Sequence, residues 1–414
     1  MSESPQAPPR PRAKRVALSS GLLGAMFLMA TSAIGPGFIT QTTTFTAQLG
    51  ATFAFAILVS ILVDIAVQLN IWRVIGVSGT RAQDLANKVL PGAGYLLAVL
   101  IVFGGLVFNV GNIAGTALGL DALAGVDARI AGAVSAALAI ALFLVKRAGA
   151  AMDRILIGLG LLMIGLTLYA AIVSDPPVGD ALVQSVLPER LGSDVFLATV
   201  TIIGGTVGGY ITYAGAHRLV ESGQTGRENV DAVARTSVTG IIVTGVMRVL
   251  LFLAVLGVVT GGAAILDAPN PPAEAFRQAA GEVGLRLFGV IMWAAAITSV
   301  IGASYTSISF VTTFSPRLDR AKGWLVAGFI AVSTVIYLFL GQAPATLLVL
   351  AGALNGLILP VGLGIMLWVA ARRSHDLLSG YRYPKWLLGI GVAAWLLTVY
   401  IAANALTGIA DLWQ

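Results

Sequence analysis

Apolar runs of about twenty residues recur along the whole chain, and that recurrence nearly dictates the architecture. Twenty residues of α-helix rise about 30 Å, the hydrocarbon thickness of a bilayer. Eleven such runs are read, at 18–47, 51–75, 92–120, 128–146, 154–174, 195–220, 234–262, 284–313, 323–341, 344–371 and 385–408. Lipid offers no water to the backbone, so each run must satisfy its own amides and carbonyls as α-helix. Of the 414 residues 57% are hydrophobic and only 11% charged; a soluble domain carries about 25% charged residues. The expected fold class is an all-α polytopic membrane protein with eleven transmembrane helices.

The charges test the count. With the N-terminus inside, the outer loops hold Arg129, Arg190, Arg277 and Arg286, and Arg248 lies within a span. Every other member of the 25 Lys and Arg falls on the inner side. That asymmetry follows the positive-inside rule and predicts a multi-pass protein of the cell inner (plasma) membrane, N-terminus cytoplasmic and C-terminus outside. Residues 1–15, polar and proline-rich with Arg10, Arg12, Lys14 and Arg15, read as a disordered cytoplasmic tail. The net charge of +6 is thereby explained without a nucleic-acid partner. Cysteine is absent, so no disulfide, thiolate metal site or cysteine nucleophile exists. No nucleophile–histidine–acid set lies in the spans and no GxxxxGK loop is present, so neither an enzyme nor a cofactor is expected.

Two spans contain helix-breaking sequence near their centres: Gly35-Pro36-Gly37 in the first and Gly208-Gly209 in the sixth. Glycine weakens a helix by about 1 kcal/mol relative to alanine, and proline removes a donor. Glycines can also serve only to let helices pack closely. Two breaks in corresponding places favour another reading. Spans one to five and six to ten form two five-helix units of opposite orientation, each opening with a broken helix. The pattern is that of LeuT-type 5+5 inverted repeats in secondary transporters, whose substrate binds at the breaks. The expected division is 1–15 tail, 16–174 first repeat, 175–371 second inverted repeat, and 372–414 accessory eleventh helix.

The stretch Ile202-Ile203-Gly204-Gly205-Thr206-Val207-Gly208-Gly209-Tyr210-Ile211-Thr212-Tyr213 is similar to the sixth helix of the NRAMP family of proton-coupled divalent-metal transporters. Gly76-Val77-Ser78-Gly79-Thr80 with Asp84-Leu85-Ala86 looks like the end of that family's second helix. Asn112-Ile113-Ala114-Gly115-Thr116-Ala117-Leu118 looks like the third, Ala294 to Ser299 with Gly302 to Tyr305 the eighth, and Leu357-Ile358-Leu359-Pro360 the tenth. The family's metal site resembles an Asp-Pro-Gly-Asn break, the methionine of Met-Pro-His, and a glutamine before Leu-Pro. Here Gly35 and Phe38 stand for Asp and Asn, Gly208-Gly209-Tyr210 for Met-Pro-His, and Ile358 for the glutamine. The family's acidic pair in the third helix matches Asn109 and Asn112, and amides do not titrate. The resemblance therefore implies the fold and alternating access, while the ligands that a transition metal prefers are missing.

What remains suits a small organic solute, an amino acid or a related cyclic amide or carboxylate. The N-terminal amides of the half-helices after Gly37 and Gly209 point at the gap, which the small residues should widen, and attract anionic groups. Candidate substrate-binding residues are Gly35, Gly37, Phe38, Gln41, Thr44, Gly208, Gly209, Tyr210, Tyr213, Asn109, Asn112 and Asn355. A helix turns 100° per residue, so the run Thr40–Thr44 cannot face the gap in full. Asp64 and Arg248 are intramembrane charges on corresponding helices of the two repeats. Either they form a buried structural pair, or Arg248 holds substrate while Asp64 takes a coupling proton. Thr306 and Ser307 are candidates for a coupling Na⁺; Na⁺ and H⁺ both remain open. His217 and His375, at the inner edges, read as solvated. The alternative function is divalent-ion transport, of the Mn²⁺ or Mg²⁺ type, through an altered site. A monomer in the lipid bilayer is expected.

The topology has a direct test, because the chain has no cysteine to remove. In intact cells a membrane-impermeant maleimide should label Gln414→Cys and leave Ser4→Cys unlabelled. Labelling of both from the same side would break the eleven-span reading.

Overall fold

A computed structural model describes residues 35–145 and 149–411, with side chains throughout except at 149–158 and 407–411. In chain order the α-helices are α1 (Pro36–Leu49), α2 (Phe53–Ser78), α3 (Ala82–Val89), α4 (Ala93–Ala124), α5 (Ala128–Val145), α6 (Gly149–Val173), α7 (Val178–Val186), α8 (Ser193–Thr206) and α9 (Ile211–Glu221). There follow α10 (Val230–Thr260), α11 (Pro271–Thr312), α12 (Pro316–Arg320), α13 (Lys322–Leu340), α14 (Pro344–Arg372) and α15 (Lys385–Asp411). The tail and the first half of the first expected span lie outside the described residues.

Local chemistry sets the ends. Pro36 occupies the first turn of α1, where its missing N–H costs nothing. Gly50, with φ 58°, ends that helix, and a short 3₁₀ turn, Gly50–Thr52, leads into α2. Gly79 closes α2 in the left-handed conformation, φ 61°. The Asn270 side chain accepts from the Ala273 amide and caps α11, which opens on Pro271 and Pro272. Gly281, φ 64° and ψ −161°, kinks α11 three residues before the expected span begins.

Nine stretches among the described residues are long and apolar enough to cross a bilayer, or ten with the pair Leu159–Val173 and Val178–Val186, bent by 105°. Eleven is therefore not reproduced as a count. The stretch Pro36–Ser78 accounts for part of the difference, because it is helical without a gap over 43 residues. A straight helix of that length would run about 65 Å, twice the hydrocarbon core, and it changes helix at Gly50. The bend after α6 was not anticipated. It turns α7 toward the 50–52 turn, where Thr52 Oγ1 donates to Gln184 Oε1 at 2.6 Å.

Enclosure grades from the rim to the centre. In α13 and α5 only 22% and 28% of the most apolar window is buried, whereas across Ser193–Glu221 the share is 94%. The two helices that flank the breaks, α1 and α8, touch each other and both pack on α14; α1 also packs on α10 and α11, and α8 on α2 and α15. The α8–α14 crossing is glycine-lined: a methyl group on Gly204 would overlap the Gly352 carbonyl and the Gly356 amide, and one on Gly356 the Val200 carbonyl. The backbones thus meet without side chains between them, the close-packing role that glycine plays in membranes.

Gly204→Ala should therefore destabilise the protein by about 1–3 kcal/mol, read as a lowered Tm in detergent. Gly328→Ala, on the exposed face of α13 with open space around it, should hold or raise Tm. Equal effects of the two would remove the crossing as the tight point of the fold.

Candidate functional site

The second break is real helix interruption. Helical hydrogen bonding ends with Val207 donating to the Ile203 carbonyl at 2.9 Å, and α9 starts only at Ile211. The Gly209 amide, left without a helical acceptor, donates to the Asn355 carbonyl of α14 at 2.8 Å. Asn355 is fully buried; its Nδ2 donates to the Gly104 and Ala351 carbonyls at 3.1 and 3.0 Å, and its Oδ1 is unpartnered. The expected widening is not found at this point. The Ile358 side chain packs directly on Gly209, and a methyl on Gly208 would strike the Gly204 carbonyl. Glycine here permits contact rather than leaving room.

Where the first break is expected, only the start of α1 lies within the described residues; there Gly35 is extended (φ −84°, ψ −172°) and accepts from the Ile39 amide at 3.3 Å. Eleven of the fourteen residues of α1 are buried, including Gly37, Phe38, Thr40, Gln41 and Thr43. The threonine run divides as helical geometry requires. Thr42 and Thr46 donate to carbonyls of their own helix, Phe38 and Thr42, at 2.7 and 2.6 Å. Thr40, Thr43 and Thr44 hydroxyls lack partners among the described residues. Gln41 Nε2 donates to the Leu348 carbonyl at 2.9 Å, while Oε1 is unpartnered and lies against Gly205 of α8. One side chain thus bridges α1, α8 and α14.

The two intramembrane charges converge on these breaks. Arg248 of α10 and Asp64 of α2 are each 2% exposed. The Arg248 guanidinium stacks over the Phe38 ring, 4.5 Å from its centre, and Nη1 reaches the Ile202 carbonyl in the last turn of α8 at 3.5 Å. The Asp64 carboxyl sits beside the Thr206 hydroxyl. The two charges lie near enough to act on each other, but no Asp64 oxygen is within 4.0 Å of an Arg248 nitrogen, so they are not in direct hydrogen-bonding contact.

A second cluster lies at the head of α9. Tyr210 donates to the Ala303 carbonyl at 3.1 Å, packs with its ring tilted against Phe108 (centroids 6.1 Å apart), and rests on Gly105 beside Thr306 and Ser307. Thr306 and Ser307 therefore gather around the second break. Tyr213, with an unpartnered hydroxyl, abuts Gly362 of α14. The structure turns Asn109 away, its Nδ2 donating to Ser333 of α13 at 3.0 Å, and leaves Asn112 Nδ2 unpartnered. His217 corrects the expectation of a solvated residue. It is 3% exposed, its ring tilted against Phe310 with centroids 4.6 Å apart, and its Nε2 is 3.1 Å from Ser309 Oγ and 3.3 Å from Glu221. His375 is exposed as expected.

Sequence reasoning missed three contributors. Thr206 flanks Asp64; Trp72 Nε1 donates to the Thr212 carbonyl at 3.0 Å and covers Gly215, pinning α9 to α2; Gly104-Gly105 admits Asn355, Ser307 and Tyr210. The last had a visible signal, a double glycine in the middle of the third span. Among the described residues no group of three His, Cys, Asp or Glu is placed to hold a metal ion.

The model of the natural resistance-associated macrophage protein-like family matches residues 26–408. YcsG, an uncharacterized membrane protein of Bacillus subtilis (strain 168), is 50% identical over 402 residues, 97% of this chain and 98% of that protein. A mutant of the Eremococcus coleocola manganese transporter superposes with a TM-score of 0.72 at 17% identity, over 97% of this chain and 89% of that one. MhsT in complex with L-phenylalanine superposes with a TM-score of 0.67 at 15% identity, over 92% and 98% of the two chains. At these identities both structures share the fold alone, the LeuT-type arrangement.

Proposed function

The chain belongs to the natural resistance-associated macrophage protein-like family and is a secondary transporter; from that premise we propose that its cargo is a small organic solute, amino-acid-like or a carboxylate, rather than a transition-metal ion. Alternating access moves the solute through the region between α1 and the 207–210 break. A proton or Na⁺ gradient drives it.

One observation carries this reading: the chemistry of the side chains at the breaks. The four positions that resemble the family's metal ligands hold Gly35, Phe38, Gly208 and Ile358. None supplies an oxygen, nitrogen or sulfur donor from its side chain, and transition-metal ions favour sites built from such donors. Ile358 is instead spent on packing against Gly209, and Phe38 lies under the Arg248 guanidinium. A fixed cation in a low-dielectric site repels a second, doubly charged one. Unpartnered neutral groups close by, such as Gln41 Oε1 and the Thr40 and Thr43 hydroxyls, fit the polar atoms of an organic molecule.

The manganese named for the Eremococcus coleocola protein keeps the metal alternative in the test. Full-length protein in liposomes should show no Mn²⁺ or Mg²⁺ entry above protein-free vesicles. Under an imposed proton or sodium gradient it should accumulate a labelled member of a panel of small amino acids and carboxylates. Saturable Mn²⁺ entry, with no organic uptake, would replace this reading by the metal one.

A further inference from the structure

We infer that Arg248 is the anchor for a carboxylate, and that the transported class is a small molecule with a single carboxylate, gripped by this guanidinium at the first turn of α1. The inference rests on the organic-solute reading above and narrows it.

The side chain is buried and incompletely satisfied. At 2% exposure its Nε and Nη2 have no hydrogen-bond partner among the described residues, where only Nη1 reaches a carbonyl, that of Ile202. A buried charge is costly unless paired and hydrogen-bonded. Asp64 is near enough for its charge to be felt, but its oxygens stay beyond 4.0 Å and hydrogen-bond none of the guanidinium N–H groups. Phe38 supports the guanidinium through its ring face, a contact that uses no N–H.

The free nitrogens are the right two. Nε and Nη2 form one edge of the planar fork, the edge that presents two parallel N–H groups to a carboxylate. The same chain shows the grip elsewhere: Arg277 holds Glu274 through Nε and Nη2, at 2.8 and 2.9 Å. In Arg248 that edge meets no acceptor among the described residues. It lies beside Phe38, in the first turn of α1, where the positive end of the helix dipole favours the same negative charge. A lysine would hold an anion only as a point charge, so the fork argues for the planar, two-oxygen group of a carboxylate.

The test uses purified full-length protein and thermal shift against four acids (lactate, pyruvate, L-alanine, L-proline), the amides of three of them (lactamide, alaninamide, prolinamide) and Mn²⁺. At least one acid should stabilise the wild type, and its amide should not. Arg248→Lys should weaken that acid about tenfold to a hundredfold, the worth of charge-assisted hydrogen bonds; Arg248→Gln should abolish the shift, and the exposed Arg277→Gln should leave it unchanged. If Arg248→Gln does not fold, the acid–amide contrast and Arg248→Lys decide alone. Amides that stabilise as well as acids, or Arg248→Lys binding at wild-type strength, would overturn the anchor and leave the organic-solute reading standing. No response to any acid would also overturn the anchor, and a shift with Mn²⁺ in that case would sink the organic-solute reading with it.

Discussion

A backbone amide inside a bilayer has no water to fall back on, and that constraint organises the centre of this protein. Where the helix stops after Thr206, the Gly209 amide finds its acceptor in another helix, at the Asn355 carbonyl. The interruption is therefore affordable only because α14 stands against it without side chains in the way. Gly204, Gly352 and Gly356 make that approach, and Gly104 lets Asn355 turn its amide onto α4. The break, the glycine crossing and the asparagine form a single device, since an open backbone in lipid would cost several kcal/mol per unmet group.

Around this device the polar groups sort into two kinds. Some are spent on structure: Thr42 and Thr46 on their own helix, Asn109 on Ser333, Tyr210 on Ala303. Others stay unpaired although buried, among them Gln41 Oε1, Thr40, Thr43, Asp64 Oδ1 and two nitrogens of Arg248. Buried polar atoms ordinarily find partners, and these unmet ones, on α1 and on the α2 and α10 residues beside it and α8, are the groups on which the proposed cargo site rests. The low dielectric that makes them costly when unmet also makes each of them strong when a ligand meets it.

Much of the frame was legible in the sequence. Hydrophobic run length placed most described spans within a few residues, and Gly35-Pro36-Gly37 and Gly208-Gly209 located the helix start and the break, because glycine and proline act locally. The motif stretches led to the family. What sequence could not supply is contact between distant segments. Nothing local says that Ile358 lies on Gly209, that Arg248 stacks on Phe38 instead of hydrogen-bonding Asp64, or that Phe310 and Ser309 enclose His217. Hydropathy reports depth in the membrane, not the identity of the neighbour. The bend into α7 falls between the expected spans 154–174 and 195–220, and its tie to Thr52 bridges 132 residues of sequence.

The central claim is that cargo sits between the first turn of α1 and the interruption at 207–210. The most direct measurement is a cryo-EM map of the full-length protein with the stabilising carboxylate at saturation. The account predicts ligand density bounded by Phe38, Arg248 and the end of α8. Density confined to another part of the bundle, or a metal ion held at the breaks, would contradict it.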